Sequence, residues 1–272
     1  MAYLQLAAFG IISPILILGF FFLDKWKRFN KINYWIKQTL YGIVFGGVAI
    51  LCTEFGVKDA GAVLNVRDSA VIAAGLFLGW PAGVISGFIG GLERYFSSYW
   101  TGAFYTQIAC SISTFISGAA AGIIRQFVFR KKTPKWFQAF GVGVILETSH
   151  ILMIFITNMG NVIYAFTYVR RIGNTMIIGV GLSCLLSGLV RNLLEADWTS
   201  IRKRTTKKWH ISTILHSLLF TTSIFAYINV ALFTYNIQNR ISNQNATDTL
   251  SNAVRDVAAD IDDNSDASLL SH

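Results

Sequence analysis

The chain has 272 residues, of which 53% are hydrophobic and only 14% charged. Soluble domains carry about 25% charged residues, so with a mean hydropathy of +0.51 this is an integral membrane protein. The net charge of +9 does not point to nucleic acid, because the basic residues cluster between apolar runs, as they do in cytoplasmic loops of membrane proteins. Cys52, Cys110 and Cys184 are isolated, and His150, His210, His216 and His272 lack the mutual spacing of a metal site. His150 reads as a polar contact within a helix bundle. No Walker loop, G-x-S-x-G, kinase signature or H-E-x-x-H is present, so no enzyme chemistry, cofactor or metal is expected of these residues.

In chain order, residues 3–23 form the first apolar run, with Pro14 inside and Lys25, Lys27, Arg28 and Lys31 after it. Charges that follow the run argue for a retained helix with its C-terminal end inside, not a cleaved signal peptide. A second span covers 36–53. A polar loop with Glu54, Lys58, Asp59, Arg67 and Asp68 leads to a broken apolar run, 69–92, and a short aromatic loop, 95–105. Further spans lie at 106–124, 137–158, 173–194 and 211–235, each near the roughly 20 residues that cross a bilayer core.

Charge tests the topology. Basic loops fall at 24–37, at 125–135 and at 202–208, and all three belong in the cytoplasm. They share a side only if 69–92 enters and returns on the same face. Arg170 and Arg171 then stand outside as an exception. The alternative, a single kinked helix, separates the first basic loop from the other two. Gly79-Trp80-Pro81 breaks the run, because Pro81 lacks an N–H and disfavours helix in the residue before it, so Gly79 and Pro81 are the expected hinge. The halves, 69–79 and 82–92, would each rise about 16 Å. Glycines at 75, 79, 83, 87, 90 and 91 allow close packing.

Residues 236–272 hold six aspartates against Arg240 and Arg255, with no further apolar run. By this topology they are extracytoplasmic. Leu250, Val254, Val257, Ile261 and Leu269 recur at roughly helical spacing, as in a stalk entering a sensor module. The pattern stops midway, so the chain reads as part of a longer protein.

Arg67 and Arg94 are the strongest binding candidates. Ionisable groups at membrane depth are costly unless they pair or bind, and the guanidinium fork suits carboxylates. In one continuous helix the two would stand about 40 Å apart; in a hairpin both return to the outer face. Cys110 and Ser113, three residues apart, share a face of the next span. The structural alternative pairs Arg67 with Asp68 or Asp59, and Arg94 with Glu93 or the interface.

Asn65-Val66-Arg67-Asp68-Ser69, Ala74-Gly75-Leu76-Phe77-Leu78-Gly79-Trp80-Pro81-Ala82-Gly83, Gly91-Leu92-Glu93-Arg94 and Ile108-Ala109-Cys110-Ser111-Ile112-Ser113-Thr114 together resemble the five-transmembrane receptor domain of LytS-type sensor proteins. The resemblance runs over about 30–195. It implies an input module of bacterial histidine kinases, diguanylate cyclases or SpoIIE-like phosphatases, with pyruvate or a similar metabolite as ligand in some members. It also implies ligand contacts from Arg67, Arg94, Cys110 and Ser113, with Asn65 beside them. Thr175-Met176-Ile177-Ile178-Gly179 departs from the family's Pro-Met start and following Asn, so no ligand role is carried to that helix.

The expectation is an all-α polytopic membrane helix bundle with a Gly-rich broken-helix, re-entrant hairpin at 69–92. A first transmembrane helix occupies 1–29, the receptor domain 30–195, a basic cytoplasmic linker 196–210, another transmembrane helix 211–235 and an extracytoplasmic stalk or sensor 236–272. Expected partners are a small carboxylate, membrane lipids and a second copy of the full-length protein, in a bacterial inner membrane. The competing function is a small-solute transporter or substrate-capture subunit, which would also use a broken helix.

Overall fold

A computed structural model describes residues 2–59, 62–158, 162–195, 238 and 240–258. The expected linker 196–210 and span 211–235 lie outside the described residues. Helix α1 (Ala2–Lys25) is followed by a short α2 (Lys27–Asn30) and by α3 (Tyr34–Glu54). A two-stranded antiparallel ribbon, β1 (Val57–Asp59) and β2 (Ala62–Leu64), pairs Val57 with Leu64; the sequence reading had only a polar loop here. Next come α4 (Arg67–Ala73), a π-turn (Ala74–Leu78), α5 (Trp80–Thr101), a 3-10 turn (Phe104–Thr106), α6 (Gln107–Phe127), α7 (Trp136–Thr157) and α8 (Val162–Glu195).

Five helices among the described residues are long and apolar enough to cross a membrane: Gln5–Lys25, Tyr34–Glu54, Phe104–Phe127, Trp136–Thr157 and Ala165–Glu195. The bundle is helical as expected, and its helix ends have local causes. Asn33 Oδ1 accepts from Trp35 N at 2.9 Å and so caps α3. Trp136 N at the start of α7 donates to Asn192 Oδ1 at 3.0 Å, which ties that end of α7 to α8.

Small residues set the helix contacts. Gly42 and Gly46 of α3 lie against Ile85 and Ile89, so α3 and α5 run parallel. Gly83, Gly87 and Gly91, spaced by one turn, lie against Gly118, Phe115 and Ser111, so α6 runs antiparallel to α5. Gly143 meets Cys184 across α7 and α8, and Ser183 Oγ donates to Gly10 O at 2.6 Å between α8 and α1.

Every residue from 64 to 79 is buried. This stretch runs down the middle of the bundle, walled by α3, α5 and α6. At Gly79 (φ 151°, ψ 166°) the chain reverses, so that Val71 lies against Gly90 and Gly75 against Gly83. A side chain at Gly79 would be strained by its φ, and its Cβ would stand 2.7 Å from Gln38 Oε1. Gln38 fastens the reversal: its Nε2 donates to Leu78 O at 3.1 Å, and its Oε1 accepts from Ala82 N at 3.3 Å. One buried amide thereby satisfies two backbone groups that the break strands.

Three boundaries differ from expectation. The two arms at the break are unequal. Residues 67–78 form one, and the 22 residues of α5 the other, which at 1.5 Å per residue makes them about 18 and 33 Å long. Pro81 sits in the first turn of α5, where its missing N–H costs nothing, so the glycine makes the break. The loop expected at 95–105 is mostly helix. Thr101 Oγ1 returns to Ser97 O at 2.8 Å, and α5 ends only at Gly102 (φ 74°). Likewise α8 starts at Val162 instead of 173, with Arg170 and Arg171 exposed on a helix face; long cationic side chains extend to water from such a face.

Residues 211–272 form a separate unit. Within it residues 240–258 are helical, with Ile241, Leu250, Val254 and Val257 exposed.

Candidate functional site

The buried arginines and their hydrogen-bond partners gather at the end of the bundle opposite Gly79. Arg67, the first residue of α4, is 1% exposed. Its Nε donates to Asp68 Oδ1 at 3.3 Å and its Nη1 to Thr53 Oγ1 at 3.3 Å. Its backbone N–H reaches Asn65 Oδ1, also at 3.3 Å. The expected site residue Asn65 thus supports the start of α4. Asp68 Oδ1 also accepts from Thr114 Oγ1 of α6 at 2.7 Å. Of the structural alternatives weighed for Arg67, pairing with Asp68 is the one observed.

Arg94, in α5, is 2% exposed and differently held. Its Nη1 donates to Ser98 Oγ at 2.9 Å and Ser97 Oγ at 3.4 Å, and its Nη2 to Thr106 Oγ1 at 3.0 Å and Ala103 O at 3.4 Å. All four acceptors are neutral. Its Nε has no hydrogen-bond partner, and no carboxylate among the described residues lies within ion-pair distance. Neither Glu93 nor the interface takes this cation.

Helix α6 measures the gap between the two. Arg94 reaches Thr106 just before α6, and Asp68, with Arg67 beside it, reaches Thr114. Cys110 lies midway and is within electrostatic reach of both guanidiniums. Eight residues of helix rise about 12 Å, which sets the spacing of the two anchoring threonines along α6. Ser113 is buried on the same part of α6. The structure therefore brings Asn65, Arg67, Arg94, Cys110 and Ser113 to one end, and leaves Gly79 and Pro81 at the other. Met176 of α8 packs on Leu64 and Ile172 and Gly179 faces Val66, while Tyr168 of the same helix brings its hydroxyl to Thr106, within electrostatic reach of Cys110 and Arg94.

Three residues that sequence reasoning missed or set aside belong here. Glu147 and His150 of α7 are 0% and 1% exposed, and His150 Nδ1 lies 2.8 Å from Asp68 Oδ2. The Glu-x-x-His spacing in an apolar helix was their available signal. Thr53 carries no such signal, since a threonine near a helix end is ordinary. A groove of about 400 Å³ between α1 and α8 is lined by Leu6, Gly10, Ile178 and Leu182, with no charged residue. It is remote in chemistry from the arginines.

Residues 20–196 match the family described as 5TMR of 5TMR-LYT. This chain belongs to that family. As a 5TMR-LYT protein it is a multi-pass membrane receptor domain. It is similar to the sensor histidine kinase YpdA of Escherichia coli (strain K12), with 28% identity over 197 residues, which cover 68% of this chain and 33% of that relative. The chain therefore spans about a third of the curated relative's length. No solved structure matches it.

Proposed function

We propose that this receptor domain binds a small, pyruvate-like carboxylate between Arg94 and Arg67 and signals to an output domain outside this sequence. The observation that carries the reading is Arg94: a guanidinium 2% exposed, held by neutral oxygens only, with its Nε unpartnered. A buried cation without a counter-charge is expensive, and an incoming carboxylate supplies both the charge and a bidentate acceptor. The relative's description as a sensor histidine kinase supports a signalling role over a catalytic one for this part of the chain.

Orientation follows from charge. Trp35 touches Trp80 beside the Gly79 reversal, so that end of the bundle carries the basic segments 24–37 and 125–135 and belongs in the cytoplasm. The arginine end then faces outward, which makes 67–78 a re-entrant arm in a bacterial inner membrane; a further crossing by the apolar run 211–235 would leave the segment after 236 outside as well. Ligand shifts the packing of this arm only by its differential affinity for two arrangements. Lipid surrounds the exposed helix faces, and two full-length copies associate to pass the signal.

The test is calorimetric titration of the detergent-purified chain with pyruvate and related carboxylates, comparing wild type, Arg67→Ala and Arg94→Ala. Saturable binding by wild type and its loss in Arg94→Ala is expected. Equal binding by all three would overturn the proposal. Uptake of labelled pyruvate into vesicles containing the protein would make it a transporter instead.

A further inference from the structure

We infer that Asp68, Glu147 and His150 form a binding site for one divalent transition-metal ion. Donor atoms from α4 and α7 converge on a single point. His150 Nδ1 lies 2.8 Å from Asp68 Oδ2 and 3.4 Å from Glu147 Oε1, and one donor atom from each residue falls within 4.8 Å of the other two. One N–H cannot serve two carboxylates: His150 Nδ1 faces Asp68 most closely, and both oxygens of Glu147 are left over. Both ring nitrogens of His150, both oxygens of Glu147 and Asp68 Oδ2 lack a partner in hydrogen-bond geometry. All three side chains are at least nine-tenths buried, so water does not satisfy these atoms from outside. A triad this dry and this unsatisfied needs another occupant.

A metal ion fits the spacing. Donors about 2.1 Å from a zinc-like ion stand about 3.0 Å apart in octahedral geometry and about 3.4 Å apart in tetrahedral geometry. The two measured separations bracket those edges. Oxygens that sit near a ring nitrogen but off its axis are also where the co-ligands of a shared ion belong. One imidazole and two carboxylates suit Zn²⁺, Mn²⁺ or Fe²⁺ and leave positions for exogenous ligands. Glu147 and His150 use the i, i+3 spacing by which bundle helices aim a carboxylate and an imidazole at one ion. The other oxygen of Asp68 is held by Thr114 and Arg67, which orients the carboxylate for this role. The ion would join α4 to α7. This site stands whether or not Arg94 takes a carboxylate.

The test uses the full chain in detergent, stripped with a chelator and titrated with Mn²⁺ while its electron paramagnetic resonance is followed, with Zn²⁺ as competitor. A single Mn²⁺ per chain is expected, showing nitrogen coupling from one imidazole and displaced by Zn²⁺. Glu147→Gln and His150→Gln should each bind about tenfold or more weakly, while Arg94→Ala keeps the ion. Absence of stoichiometric Mn²⁺ in wild type, a bound ion without nitrogen coupling, or unchanged affinity in both α7 variants would each overturn the site. The nitrogen coupling is read on wild type and so does not depend on any variant folding. Pyruvate titration of the stripped protein separates the two proposals: binding there with no metal site removes this inference alone, and a metal site without pyruvate binding removes only the carboxylate reading.

Discussion

Arg67 and Arg94 are equally buried at the same end of one bundle, but their surroundings are opposite in kind. Arg67 meets a carboxylate, Asp68, that is itself anchored by Thr114 and approached by His150. Arg94 meets three hydroxyls and a carbonyl. The first guanidinium is part of a built-in ion network; the second has geometry without neutralisation. Burial alone therefore does not distinguish a structural cation from a receptive one. The charge of its acceptors does.

Substitutions can break that contrast. The largest effect is expected from Asp68→Ala, which leaves Arg67 and His150 buried without their shared anion. Losing one partner of a buried network costs about 3–5 kcal/mol, so the unfolding midpoint in detergent should fall sharply. Arg94→Gln should act on binding instead. Charge-assisted hydrogen bonds contribute about 1.5–3 kcal/mol, so carboxylate affinity should drop about tenfold to a hundredfold, with a smaller change in unfolding than Asp68→Ala shows. A larger destabilisation by Arg94→Gln than by Asp68→Ala would break the contrast between the two arginines.

Gln38→Ala probes the far end of the same arm. It strands Leu78 O and Ala82 N, at about 1–3 kcal/mol for unsatisfied buried groups, and should make the 67–78 segment exchange amide hydrogens faster. The smallest effect belongs to Ser98→Ala, which removes one of four acceptors around Arg94. A shift of about 0.5–1.5 kcal/mol in stability is expected, with ligand affinity held or improved because the cation loses only a neutral competitor.

Much of this was legible in the sequence. The apolar runs gave the helices, because a bilayer demands a minimum length. Arg67 and Arg94 stood out because charge is costly in apolar surroundings. What stayed hidden depends on residues far apart in the chain. Gln38 lies 40 positions from Leu78 and Thr114 lies 46 from Asp68, and nothing local marks either as a partner. His150 was set aside for the same reason: the nearest carboxylate, Asp68, arrives on another helix. The extra turns of α5 and the early start of α8 were lost because aromatic, hydroxyl and arginine residues lower hydropathy without preventing helix.

The buried arm has a consequence for how the protein is made. Residues 67–78 give about 18 Å of helix, too little to partition into a bilayer as a span of its own. Lipid never touches the finished segment, since every residue from 64 to 79 is enclosed. It must therefore be captured by α3, α5 and α6 as they come together. Assembly of the membrane domain and burial of the Arg67–Asp68 pair are then a single event. Defects at Gly79 should surface during biogenesis as protease-sensitive chains, before any question of ligand arises.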